Sequence, residues 1–422
     1  MNNYFANIIG YDCVKEELAM ILDVMKNQEK YNNLGAKIPK NVLLYGLPGV
    51  GKTLFANDFI KASGRKSYII RKDKSNGDFV NYIKSTFEEA KKNEPTIILL
   101  DDLDKFANGD SQHQNCEEYI TVQSCIDDAK QYDVFVFATA NIIANLPSSL
   151  CRNGRFDKKI EVKIAKGNSG QEIIKFYLKN KKIDKNSDID VFVKLLQGKS
   201  CANIETIINN AAVLAGYENR DSISAIDIAN IIIKDRCGNT STDSGISNDN
   251  QMLVAYHEAG HVIANDILFP NTLNLVSLNS EFSMEGVVIT NKDDNLRFDL
   301  DFYNNNCIVA LSGKAAIEIV YGKIDVGCNS DLHDAYRSAD MIVDNCVAYG
   351  FDKFERQKVS NELYVRKENA IYQELEKCYQ EAKKILMENR EFLDKVADEL
   401  LKKKILLYSD IDKIRDEIKK ND

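Results

Sequence analysis

At 422 residues, with 44% hydrophobic and 28% charged residues, the chain is long enough for two or three folded domains and is not a disordered or low-complexity protein. Its net charge of −9 argues against nucleic acid or an anionic membrane as the main partner. Ten cysteines are scattered with no C-x-x-C pair, no apolar run reaches spanning length and no basic-then-apolar leader opens the chain, so the expectation is reduced thiols in a soluble, cytoplasmic protein.

In chain order, residues 1–165 alternate short apolar runs with helical stretches. Asn41 to Tyr45, Thr96 to Leu100, Asp133 to Phe137 and Lys159 to Val162 read as strands, three of them almost wholly apolar, as buried parallel strands are. Crossover helices fit between them, so the expected fold is a doubly wound α/β domain. Residues 166–236 turn helical, with turn signals at Gly198 and near Asn219, and read as a small helical subdomain. Residues 237–250 (CGNTSTDSGISNDN) read as a linker. Residues 251–422 form a mainly helical second half with one extended piece, Glu285 to Thr290, and a Lys/Glu-rich helical end.

Gly46-Leu47-Pro48-Gly49-Val50-Gly51-Lys52-Thr53 satisfies G-x-x-x-x-G-K-[ST], follows a strand and opens a helix, and with Leu54 is expected to bind the nucleotide. Glycines let backbone N–H groups curl around phosphate oxygens, and the helix N-terminus adds positive potential. Lys52 then reaches the β and γ phosphates of ATP, and Thr53 ligates Mg2+. The strand Thr96 to Leu100 ends in Asp101-Asp102, where a magnesium-associated acid belongs; Asp101 would hold the metal through water and Asp102 would polarise the attacking water, unless the pair simply caps a helix. Asn141, after the next apolar run, is either a turn residue or orients that water. Arg152 and Arg155 flank Asn153-Gly154; they are either surface arginines or fingers onto a neighbouring subunit's γ-phosphate.

His257-Glu258-Ala259-Gly260-His261 holds two of the four histidines. On a helix, positions i and i+4 share a face, so both imidazoles can hold one Zn2+ and Glu258 can reach its water. A catalytic zinc needs a third protein ligand. Asp331, in the first turn of a helical pattern, is one candidate, with His333 and Asp334 as rivals; its bland alternative is to complement the helix dipole.

Taken together, these motifs resemble the cytosolic part of the FtsH family, the AAA+ ATP-dependent zinc metalloproteases, from about residue 5 to 350. Ile8-Ile9-Gly10-Tyr11-Asp12 resembles the family's entry segment, which implies an adenine pocket at Ile9 and Gly10. Lys37-Ile38-Pro39-Lys40 leads into the phosphate loop as in the family. Asn141 falls on the sensor asparagine, and Cys151 to Asp157 resembles the arginine-finger segment. Ala202-Asn203 and Asn210-Ala211-Ala212 resemble the lid helix. Leu311 to Gly322, then Ser330-Asp331-Leu332, resembles the segment that carries the third zinc ligand, which makes Asp331 the favoured one. The resemblance implies a zinc endopeptidase coupled to an AAA+ ATPase, a homohexameric ring and unfolded or damaged protein chains as substrates.

Three departures stand out. The family's membrane-spanning N-terminal region has no counterpart in the chain. Asp102 stands where the family has glutamate, one methylene longer, and displacements near 1 Å cost on the order of 10²-fold. The aromatic-hydrophobic-glycine pore loop is shortened: Tyr82 and Ile83 either replace it as a grip on substrate or pack as helix residues. The rival expectation is therefore a nucleotide-gated ring that hydrolyses ATP weakly and cleaves only unstructured chains. A remodelling ATPase with a vestigial peptidase is a third.

Overall fold

The computed structural model describes residues 4–36, 39–107, 116–152, 154–185, 187–237, 248–278, 286–291, 297–323, 329–346 and 360–421. Lys37, Ile38, Asn153, Glu285 and most of the expected linker therefore lie outside the described residues. Backbone contacts divide the chain into two compact units, residues 1–181 with 196–210, and residues 182–195 with 211–422.

In chain order the first unit carries α1 (Asp12–Lys26), α2 (Gln28–Asn32), β1 (Asn41–Tyr45), α3 (Lys52–Ser63), β2 (Lys66–Ile70), α4 (Asn76–Lys92), β3 (Thr96–Leu100), α5 (Glu117–Asp128), β4 (Val134–Ala140), β5 (Lys158–Glu161) and α6 (Gly167–Leu178). Its strands form one parallel sheet in the order β2-β3-β4-β1-β5. Alternate residues serve opposite faces. Leu43, Ile98, Leu100, Val136 and Ala138 join one core, whereas Val42, Leu44, Ile97, Leu99, Phe135 and Phe137 join the other. Both faces are covered, which is why β3 and β4 read as continuous apolar runs. The doubly wound expectation holds. The expected strand at Asp133 to Phe137 runs on to Ala140, and the one expected at Lys159 begins one residue earlier. Tyr82 and Ile83 are helix residues of α4: Ile83 is fully buried and the Tyr82 hydroxyl donates to the Ile69 carbonyl. The packed alternative is the one observed.

The chain continues through α7 (Ile189–Leu196), α8 (Cys201–Tyr217) and α9 (Ala225–Cys237), then α10 (Asn248–Leu268), β6 (Leu273–Leu278), β7 (Gly286–Thr290), α11 (Leu300–Tyr321), α12 (Asn329–Asp344), α13 (Asn361–Glu388), α14 (Arg390–Lys403), β8 (Ile405–Leu407) and α15 (Tyr408–Asn421). Asn248 to Asn250, expected as the end of the linker, open α10. The second half is mainly helical, as expected, but β7, β6 and β8 also form a small antiparallel sheet in that order. Its core gathers Ala255, Ala259, Val262 and Ile263 of α10 with Cys307, Leu311, Ala315 and Ala316 of α11 and Leu393, Val396 and Leu400 of α14. The Asp299 carboxylate accepts from the Phe302 amide at 3.1 Å and fixes where α11 begins.

Candidate active sites

The phosphate loop leaves β1 and enters α3 with Gly46, Gly49 and Gly51 all at positive φ, conformations that favour glycine. At Gly46 a Cβ would lie 2.1 Å from the Val162 carbonyl oxygen, so no other residue fits. The loop borders a cavity of about 470 Å³ lined by Ile9, Pro48, Gly49, Val50, Gly51, Lys52, Thr53, Leu54, Asp102 and Asn141. Ten of the residues expected at the nucleotide are thus brought together. Gly10, Gly46 and Asp101, also expected there, are not among its lining residues; Asp101 is joined to the lining through Thr53, whose hydroxyl donates to it at 3.1 Å. Of the wall that α6 and α8 supply, sequence reasoning named only Ala202, in the segment that resembles the lid helix, and did not expect it at the nucleotide. Ile173, Phe176 and Tyr177 of α6 and Cys201, Ala202 and Glu205 of α8 complete the cavity, and the Tyr11 hydroxyl lies 3.6 Å from Cys201 Sγ. The apolar residues Ile173, Ile174, Phe176, Tyr177 and Leu178, interrupted by Lys175, were the available signal.

Inside the cavity Lys52 Nζ donates to Gly46 O at 2.8 Å, to Leu47 O at 2.9 Å and to Asn141 Oδ1 at 2.8 Å. Burial holds its pKa below the ordinary lysine value, with the aspartates nearby offsetting part of that effect. Asp101 is buried. Its Oδ1 accepts from Thr53 Oγ1 at 3.1 Å and from Thr139 Oγ1 at 2.7 Å, and its Oδ2 pairs with Arg71 at 2.8 Å. The Asp102 amide donates to Thr139 Oγ1 at 2.8 Å, so one hydroxyl joins both acids. Asp102 sits at φ 55, a left-handed conformation that aspartate tolerates better than most residues. Thr139 and Arg71 carry no motif, which is why neither was singled out.

The two expected arginines part company. Arg152 is exposed. Arg155 is buried, and its guanidinium meets Asp127 at 2.8 Å, Gln123 at 2.8 Å and the Ser149 carbonyl at 2.7 Å. Hydrogen bonding from Arg155 pulls the Asp127 pKa down to about 2.

The second unit holds a cleft of about 980 Å³ that includes His257, Glu258, His261, Gly286 and Asp331. One turn of α10 presents both imidazoles, and the first turn of α12 delivers Asp331. Asp331 Oδ2 lies 2.9 Å from His257 Nε2 and 3.3 Å from His261 Nε2, and the two Nε2 atoms are 3.1 Å apart. Among the described residues these three form the only His/Cys/Asp/Glu group close enough to share a metal ion. Asp334 borders the cleft without joining the group, and His333 is exposed. The donor set fits zinc. Two imidazole nitrogens and one carboxylate oxygen converge and leave a coordination position free. His261 Nδ1 lies 2.7 Å from the Val309 carbonyl, a contact that fixes the tautomer with Nε2 facing the group.

Two glycines allow this convergence. A Cβ on Gly313 of α11 would lie 2.6 Å from both His257 Cε1 and His261 Nε2, and one on Gly286 of β7 would lie 2.5 Å from Glu258 Oε1. Burial opposes a proton on His261, but hydrogen bonding to Asp331 and the charges of Asp331 and Glu258 outweigh it and raise the pKa to about 9. Asp331 moves the other way: burial raises its pKa, and the two imidazoles bring it well below the ordinary carboxylate range. Burial pushes the Glu258 carboxyl above its usual value, a state suited to a group that takes and returns a proton.

A phosphate loop on a doubly wound sheet and a two-histidine, one-aspartate group beside a buried glutamate define a nucleotide-driven metallopeptidase. Residues 42–164 match the ATPase family associated with various cellular activities (AAA), and residues 244–414 match peptidase family M41. The chain is 30% identical to the ATP-dependent zinc metalloprotease FtsH 2 of a Thermoanaerobacter species, over 99% of this chain and 83% of that one. It is 29% identical to the FtsH protease of Halothermothrix orenii, over 94% and 68%, and 27% identical to that of Thermus thermophilus, over 97% and 70%. The chain belongs to the FtsH family of ATP-dependent zinc metalloproteases. Its cofactors are Zn2+, ATP and Mg2+, and these matches favour the coupled protease over the weakly hydrolysing gated assembly. No helix among the described residues is long and apolar enough to cross a membrane.

Proposed function

We propose that the chain works in the cytoplasm as a homohexameric ring that degrades unfolded or damaged proteins. Residues 1–165 and the helical lid of 166–236 would bind nucleotide, and residues 251–422 would carry the peptidase. One observation carries the reading: His257, His261 and Asp331 converge beside the buried Glu258 in a chain that also has a complete phosphate loop. In this reading His257, His261 and Asp331 hold the zinc. When bound, zinc supplies Lewis acidity toward water and the scissile carbonyl. Glu258 takes the proton of the attacking water on its carboxylate and passes it to the leaving amine. Among the described residues β7 pairs only with β6, which supports substrate adding to its other edge as a strand.

In the nucleotide site the glycines of the loop, with Pro48, Val50 and Leu54, cradle the phosphates, and Ile9 and Gly10 border the base. Lys52 contacts the β and γ phosphates, Thr53 and Asp101 hold Mg2+, and Asp102 with Asn141 orients the attacking water. Because Arg155 is tied to Asp127, the exposed Arg152 is the arginine that reaches a neighbour's phosphate, and Arg155 braces the turn that presents it.

Zinc content, measured together with casein degradation with and without ATP, tests the proposal. We expect bound zinc, ATP-stimulated cleavage, and cleavage abolished in Glu258→Gln with zinc retained. Protein purified without chelators that holds no zinc and refuses to load it would overturn the peptidase assignment.

A further inference from the structure

The two acids at the end of β3 each meet a cation of their own chain, and the two cations differ. Arg71 pairs with Asp101 at 2.8 Å, and neither is among the residues lining the nucleotide cavity. Lys105 lines the nucleotide cavity itself, and its Nζ lies 2.7 Å from Asp102 Oδ2. A run of contacts connects Lys105 to the phosphate-loop lysine. Lys52 Nζ meets Asn141 Oδ1 at 2.8 Å, Asn141 Nδ2 meets Asp102 Oδ1 at 3.5 Å, and Asp102 Oδ2 meets Lys105 Nζ. Lys52 is buried and held by three oxygens, so its position is fixed. The Lys105 side chain is 62% exposed. Its backbone is anchored by a 2.9 Å bond from its amide to the Asp102 carbonyl, so the base of the stem is fixed and the ammonium can move.

We propose that Lys105 is a second phosphate-reading cation of this site, one that distinguishes ATP from ADP. Lys52, Asn141, Asp102 and Lys105 all line the one cavity; with Lys52 on the β and γ phosphates and Asp102 on the attacking water, Lys105 would stand beside the terminal phosphate. Without a γ-phosphate, Lys105 rests on Asp102 in a solvent-exposed ion pair, a contact of little net worth. A triphosphate offers more charge and several oxygens, and draws the ammonium off. The Asp102 carboxylate is then free to accept a hydrogen bond from the attacking water. A diphosphate ends short of the pair and leaves it closed. This inference rests on the nucleotide-site reading above.

The test compares a fluorescent ADP with a fluorescent, non-hydrolysable ATP analogue on the full chain. Lys105→Met keeps the length of the side chain and removes its charge; Lys105→Arg keeps the charge. The Met variant should bind ADP within twofold of the parent and the ATP analogue about tenfold more weakly, the weight of one charge-assisted hydrogen bond at an exposed position. The Arg variant should recover most of that loss. Unchanged ADP affinity shows that the site is folded. Equal losses for both nucleotides, or no loss for either, overturn the inference. Lys52→Ala is read separately: if it binds both nucleotides like the parent, the nucleotide-site reading itself is wrong, whatever Lys105 does.

Discussion

Gly313 sits in the interior of α11, where alanine would ordinarily stabilise the helix by about 0.5–1 kcal/mol. Here the added methyl would have its Cβ 2.6 Å from His257 Cε1 and from His261 Nε2, and 2.7 Å from His257 Nε2. Ordinary contact begins near 3.4 Å, so the imidazoles must retreat by about 0.8 Å, against a tolerance of about 0.2 Å in metal–ligand distance. Neither ring retreats easily. His261 Nδ1 is held at 2.7 Å by the Val309 carbonyl on the same helix, and His257 is held at 2.9 Å by Asp331. We therefore expect Gly313→Ala to lower zinc affinity by about 10–100-fold and, when zinc is in excess, to lower turnover on the order of 10²-fold. Overpacking should cost about 1–3 kcal/mol of stability, which offsets any gain in helix propensity. Competition against a chromophoric chelator reads the affinity, casein cleavage reads the turnover, and nucleotide binding serves as the control for folding. An alanine variant that holds zinc within twofold of the parent and cleaves casein at the parent rate would refute the claim that close approach of α11 shapes the metal group.

Asp331→Ala should lower bound zinc and cleavage together, whereas His333→Ala, at an exposed position, should leave both intact; the opposite pattern, measured by metal analysis and casein assay, would reassign the third ligand. Zinc affinity should also depend on pH over an unusual range. In the metal-free protein His261 keeps its proton up to about pH 9, and zinc must displace it, so apparent affinity should rise about tenfold per pH unit through neutrality and level off only near pH 9. Chelator competition that levels off already near pH 6.5, the ordinary histidine range, would count against the hydrogen bond and charge that Asp331 supplies. Asp102→Glu restores the missing methylene where Lys105 and Asn141 already flank the carboxylate, and should raise ATP turnover by about tenfold or more. Steady-state ATPase rates decide it, and an unchanged rate would mean that the length of the acid does not limit hydrolysis.

What could be read from the sequence follows from where each interaction is encoded. The phosphate loop and the His257 to His261 pair are contiguous, so their chemistry is fixed by local spacing on one turn or one helix face. β1 and β3 were legible to the residue because both faces are buried and the runs, Asn41, Tyr45 and Thr96 apart, are apolar. β2 escaped because it is the edge of the sheet, with Lys66 and Ser67 exposed. β8 is three residues between two helices and exists through its pairing with β6, Leu275 opposite Leu407, a contact across more than a hundred residues that no local pattern records.

The same division runs through the sites. Asp331 lies 74 residues from His257, so the residues alone favoured reading it as a dipole-complementing acid, and only resemblance raised it to a ligand. Gly286 and Gly313 carry no chemistry, and a glycine in a strand or helix reads as a weakness until its missing Cβ is placed against Glu258 or the imidazoles. Arg155 looked like the twin of Arg152, yet Asp127, 28 residues upstream, takes its guanidinium. Thr139 makes the point most sharply. A threonine at the end of an apolar strand has no claim to function, yet its one hydroxyl donates to Asp101 and accepts from the Asp102 amide, so it sets the spacing between the acid expected to hold magnesium and the acid expected to orient water. Motifs name the groups that do the chemistry; residues without motifs set the distances at which that chemistry can occur.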